Sequence, residues 1–236
     1  MRYLLSFLAF LLCCTIAVAQ PKAPTPGEQS VRTNSVIKRY IEWSYRTSWK
    51  WELSLPQHVV TYYQSKSRPQ WQGSHSYYSR FIEPNDKAMS IVTDGIRQTL
   101  QSLPDFDRED SVMFVVTMVQ QMPYWADSLF GIEDYTNFPV ETLYNNGGDC
   151  EDKAILAAAL LKRLGFDVKL IFLETTDKKR SHIAIGVPLT TPLDGGAYWD
   201  FKENNYYYIE TTYPGWQIGE LPNEWENAMG IVIDVL

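Results

Sequence analysis

In the rear half of the chain the apolar positions fall into clear periods. Cys150, Ala154, Ala157, Ala158 and Leu161 recur at i, i+4, i+7, i+8 and i+11, which is one face of an α-helix. Asp149 stands where an N-cap belongs, Gly165 where a helix stops, and Asp152 is placed to reach back as in a capping box. A helix is therefore predicted from Cys150 to Leu164. The runs VKLIFL (168–173), HIAIGV (182–187), YYYIETT (206–212) and GIVIDV (230–235) predict four strands. One helix followed by strands joined through loops predicts an α+β fold with an antiparallel sheet.

The front half is less regular. Val31 to Tyr45 has apolar residues at helical spacing. WKWELSLP (49–56) alternates and predicts a strand ended by Pro56, and QHVVTYYQ (57–64) a short helix or turn. KSRPQWQGSHSYYSRF has no period and predicts loop. Asn85 to Ser102 predicts a helix with Met89, Ile91, Val92, Ile96 and Leu100 on its apolar stripe. Another, capped by Asp110 or Ser111 and reaching about Gln121, contains VMFVVTMV, which is apolar all round and so predicted to be buried. The division expected is a mainly helical extension over 31–110 and a core over 111–236.

The N-terminus changes the picture. Arg2, the apolar run Leu4 to Ile16 and the small residues Ala17 and Ala19 read as a secretory signal over 1–19, followed by a polar, proline-rich linker over 20–30. That predicts a secreted or periplasmic protein with no membrane span after cleavage. A lipoprotein through Cys13 or Cys14, or a retained anchor, is the alternative. The formal net charge of −7 and the absence of a basic stripe exclude a nucleic-acid partner.

Cleavage leaves one cysteine, Cys150, in a compartment where disulfides form. It is either a reactive thiol or a small buried hydrophobe, and composition leaves both open. Its place at a helix start favours a thiolate, while Asp149, Glu151 and Asp152 oppose one. Of His58, His75 and His182, only His182 opens an apolar strand beyond the cysteine helix. His182, Ala184 and Gly186 share one strand face, and these small residues are expected to lie against the alanine stripe, so that Cys150 and His182 meet at one end. Glu210 shares a face with Tyr206, Tyr208 and Thr212. A carboxylate there needs a partner, which is the His182 ring or else a lysine or backbone group. One cysteine and three scattered histidines match no zinc spacing, so no metal and no cofactor is expected.

FPVETLYNNGGDCEDKAILAAALLKRLGFDVKLI, HIAIGV and YYYIETTYPGWQIGELP, in that order, resemble the transglutaminase-like superfamily of papain-like thiol enzymes, in its bacterial and archaeal branch of protease-like or uncharacterised members. WKWELSLP and MVQQMPYWAD extend the likeness to roughly Ile37 onward. The resemblance implies a nucleophile at Cys150, a general base at His182 and an orienting acid at Glu210, where the family usually carries Asp; Asp194 and Asp200 are the rivals. It also implies an oxyanion hole from the Cys150 N–H and an upstream polar side chain, Gln120 or else Gln121. The glycines before Asp149 would let the backbone turn tightly and approach a substrate. Trp125, Tyr144 and Trp216, with Tyr124 and Tyr135, line a substrate cleft or simply pack. The function expected is a cysteine amidase or peptidase acting on a peptide or protein through a thioester. A cross-linking transglutaminase and a noncatalytic peptide or cell-wall binder are the alternatives.

Overall fold

The computed structural model describes residues 35–83, 86–127 and 135–235. The signal, linker, Cys13 and Cys14 readings lie outside these residues. Strands β1 (Val36–Tyr45) and β2 (Thr47–Pro56) form an antiparallel hairpin. It is followed by α1 (Gln57–Ser65), a 3-10 helix (His75–Phe81), α2 (Lys87–Gln101), α3 (Arg108–Gln120), α4 (Pro139–Asn145) and α5 (Cys150–Arg163). Then come β3 (Lys169–Glu174), β4 (Ser181–Val187), β5 (Tyr198–Phe201), β6 (Asn204–Ile209) and β7 (Met229–Asp234), in an antiparallel sheet of order β5-β6-β4-β3-β7. The fold is α+β, as the pattern predicts, with α5 packed on β4 and β3.

Within the stretch where a helix is expected, Val31 to Tyr45, residues 36–45 form β1 instead. Ile37, Arg39, Ile41, Trp43 and Tyr45 turn inward while Val36, Lys38, Tyr40, Glu42 and Ser44 are exposed, a period of two. Arg39 hides this period, because a charged residue sits at an inward position. The fold accommodates it by a bond from Nε to the Tyr144 carbonyl (2.5 Å) and by the guanidinium lying over the Tyr144 ring. The segment expected to be a mainly helical extension opens, from residue 36, with this hairpin before its helices, and Ile41, Trp43, Leu53 and Leu55 belong to the same buried cluster as α3 and α5. The stretch expected to be loop contains the 3-10 helix. The cap of α3 is Asp107, and Asp110 completes its capping box from N3.

The sheet separates two buried clusters. Ile183, Ile185 and Val187 of β4 join the cluster containing Ala154, Ala157 and Ala158 of α5. Ala184 joins Ile171, Leu173, Tyr208 and Trp225 in the other. The alanine stripe therefore meets the large face of β4, not the face of His182, Ala184 and Gly186. Small residues on the helix make room for branched ones on the strand, which fills space as well as small against small. The edge strands β5 and β7 approach one another, with Trp199 over Gly230, so the sheet curls around the second cluster.

Candidate active site

The helix start that holds Cys150 is built by the segment before it. Asp149 caps α5, accepting from the Asp152 N–H at 3.3 Å. Asp152 does not reach back as in a capping box. It is buried and accepts from the Asn137 N–H (2.7 Å) and the Asn137 amide, tying α5 to the entry of α4. Glu141 closes the first turn of α4 on the Phe138 N–H (2.9 Å) and is held by Arg68 at 2.7 and 2.8 Å. The glycines make room for protein rather than for substrate. A Cβ on Gly147 would overlap the Trp125 indole and the Pro123 carbonyl, and one on Gly148 the Asp152 carboxylate. Gly148 and residues 123–125 are joined by two backbone bonds, Gly148 N–H to Pro123 O (3.3 Å) and Trp125 N–H to Gly148 O (3.1 Å).

Cys150 is half-buried and free. Its thiol donates to Glu151 Oε2 at 3.1 Å. Burial, then the charges of Glu151 and Asp149, push the thiol well above its usual range, and the N–H of Ile183 offsets only part of this. Burial first and the acids after it thus oppose the helix start and favour the thiol over the thiolate. Asp149 and Asp152 are themselves pushed up by burial and by neighbouring carboxylates. Among the described residues, Asp127, Asp149 and Glu151 are the one group that brings ligand oxygens within 4.8 Å of each other, so they are the residues that could hold a hard cation.

His182 and Glu210 do meet. His182 Nε2 lies 2.9 Å from Glu210 Oε2, and both side chains are buried. The other donors to Glu210 are Tyr208 Oη to Oε2 (2.7 Å), and Thr211 N, Thr212 N and Thr212 Oγ1 to Oε1 (2.9, 2.9 and 2.6 Å). Burial alone would raise this carboxyl. His182 and the Thr212 donors overcome it and bring the pKa to about 2. A carboxylate so low carries no proton, so the hydrogen between it and His182 is on Nε2, which in a neutral ring leaves the lone pair on Nδ1. The ring stacks on Trp225, with centroids 5.3 Å apart and planes 13° apart. The expected meeting of Cys150 with His182 is not among the bonds of the site, since the Cys150 thiol bonds Glu151 and the His182 ring bonds Glu210. Asp194 and Asp200 are exposed.

Gln120 is not an oxyanion donor. It is 1% exposed, and both amide hydrogens are spent on backbone carbonyls, of Glu210 (2.8 Å) and Trp216 (3.1 Å). Gln121 is taken up by the hairpin, bonding both the N–H and the carbonyl of Ser44. Of the aromatic candidates, Trp125 packs beside Gly147 and remains 37% exposed, and Tyr124 stacks on Tyr213 at the surface. Trp216 is half-buried in the loop after Glu210, Tyr144 supports the hairpin through Arg39, and Tyr135 bonds Arg68 and Glu141. Sequence reasoning missed Trp225 and Tyr213, for which the sequence carries no local signal. It also missed the bond from Tyr208, although strand alternation had placed that residue on the face of Glu210.

No protein-family model matches the sequence, and no curated protein matches it. Solved structures do resemble it. The chain is similar to LapG of Legionella pneumophila at 16% identity, over 76% of this chain and 84% of that one, with a TM-score of 0.43. It is similar to a candidate cysteine protease from Cytophaga hutchinsonii at 11% identity, over 71% and 56%, with a TM-score of 0.39. A TGase matches at 13% identity, over 58% and 37%, with a TM-score of 0.36. With TM-scores below 0.5 these likenesses carry no weight for function, which has to be read from the side chains of the site.

Proposed function

We propose that this protein is a thiol enzyme of the transglutaminase-like kind that acts on peptide or protein amides through a thioester. The observation that carries this reading is the buried Glu210–His182 pair on the sheet against which the helix begun by Cys150 packs. Nδ1 accepts the thiol proton as the sulfur bonds to the amide carbon, and the carbonyl electron pair moves onto oxygen, where the Cys150 N–H faces it. The imidazolium then passes its proton to the leaving amine as the C–N bond breaks. Water, activated in the same way, resolves the thioester to an acid and restores the thiol. Because burial and the neighbouring acids disfavour the thiolate, proton transfer accompanies attack rather than preceding it. Residues 1–19, read as a signal, support an exported protein. No helix among the described residues is long and apolar enough to cross a membrane.

The test is a survey of peptide amides and esters with the parent protein, Cys150→Ala and His182→Ala, trapping the acyl-enzyme by mass. Turnover by the parent with loss in both variants is expected. Turnover that survives Cys150→Ala, or a parent that never acylates, sinks the proposal. Adding a primary amine separates hydrolysis from cross-linking, since a transamidase would form the substituted amide.

A further inference from the structure

Lys153 lies on α5 almost one turn beyond Cys150 and is fully buried. Its ammonium donates to three backbone carbonyls, of Gln120 (3.1 Å), Met122 (2.8 Å) and Thr212 (2.5 Å). These come from two separate segments, the end of α3 and the stretch just after β6. Both segments are tied to Glu210. The N–H and hydroxyl of Thr212 both bond Glu210 Oε1, and the Gln120 amide bonds the Glu210 carbonyl.

A buried ammonium is a costly way to fill this space. Desolvating it costs several kcal/mol, and an apolar side chain of similar volume would often be neutral or better for stability. Burial pushes Lys153 down to about 8, with the Glu210 charge pulling it back up. What the ammonium offers in return is geometric. It carries three donors on one atom and matches three converging carbonyls, which no apolar side chain can do. Without it Thr212, whose N–H and hydroxyl supply two of the hydrogen bonds on Glu210, has one fewer constraint.

We propose that Lys153 is a positioning residue, whose ammonium pins the Thr212 carbonyl and the end of α3 to the cysteine helix. It thereby fixes Glu210, and through it the His182 ring, relative to Cys150. This rests on the reading of Cys150, His182 and Glu210 as the reacting set.

The experiment compares the parent with Lys153→Met, Lys153→Gln and His182→Ala. Alkylation of Cys150 by iodoacetamide is followed against pH, and kcat and KM are measured for an amide the parent turns over, per folded molecule. Lys153→Met should lower kcat by about a hundredfold with KM near that of the parent, the signature of a displaced reacting group. Lys153→Gln, which returns two N–H donors, should recover part of the loss. A lysine that only stabilises the fold would lower the denaturation midpoint and leave kcat per folded molecule unchanged in both variants, which overturns the proposal. If only the Gln variant folds, parental kcat overturns the proposal and a fall of about tenfold or more sustains it. If neither folds, Lys153 is required by the fold itself and the positioning role is withdrawn. Failure of the underlying reading looks different. His182→Ala would then alkylate as the parent does at every pH, and the proposal would fall with it.

Discussion

Replacing Glu210 by glutamine tests the site at its best-determined point. The Oε1 position faces three donors, Thr211 N, Thr212 N and Thr212 Oγ1, so the amide oxygen of Glu210→Gln has to take that place. The NH2 group then falls at the Oε2 position, against His182 Nε2 and Tyr208 Oη. Tyr208 adapts by rotating its hydroxyl to accept. His182 adapts only by accepting at Nε2, which moves its own hydrogen to Nδ1 and removes the lone pair that takes the thiol proton. The variant should fold, because the side chain keeps its shape and every partner finds a bond. In serine enzymes the equivalent change costs about four powers of ten. A preformed thiolate would soften that loss, but burial and the acids around Cys150 disfavour the thiolate, so the proposed mechanism needs its base at each turnover. The expected fall is about 10³–10⁴ in the acylation rate, or about 4–5 kcal/mol at 1.36 kcal/mol per tenfold. The assay is single-turnover acylation of Cys150 by a peptide ester or amide at neutral pH, with folding checked by near-UV circular dichroism. Asp194→Asn and Asp200→Asn serve as controls and should react as the parent does, both residues being exposed. Acylation of Glu210→Gln within about threefold of the parent would refute the tautomer argument.

Enlarging Ala157 or Ala158 to Leu should lower stability by about 1–3 kcal/mol, because both are fully enclosed between α5 and its neighbours; unchanged urea midpoints would count against this packing. Gly147→Ala should displace Trp125 and Pro123, lowering stability and slowing acylation together, and a variant with parental rate and midpoint would show that the close approach is not needed. The depressed pKa of Glu210 sets a pH dependence. Its folded value of about 2 lies below the ordinary 4.5, so its contribution is complete above about 4.5 and is lost as pH falls through about 2. That contribution is roughly 3 kcal/mol, and Glu210→Gln should remove this acid limb from a plot of denaturation midpoint against pH. Parallel curves for the two proteins would contradict it. Asp149 and Asp152 act in the opposite sense, since their raised pKa values make stability fall as pH rises, so the comparison belongs at acid pH.

The sequence by itself determined the elements whose signals are local. Periodicity and caps specify α5, and short apolar runs bounded by turns specify β3, β4, β6 and β7, because helix and strand periods are set by backbone geometry within a few residues. The pairing of His182 with Glu210 was legible for a related reason, since strand alternation assigned each to a face and a buried carboxylate requires a partner. Tertiary structure decided what depends on residues far apart in the chain. The strand β1 reads as a helix until Tyr144 is present to take Arg39. Gln120 reads as an exposed helix end until Glu210 and Trp216 close over it, and the alanine stripe gives no hint of which face of β4 it meets. The state of the thiol was decided in the same way. A helix start alone predicts a low pKa, but burial of the thiol and the charges of Glu151 and Asp149 that the fold gathers around it push the other way.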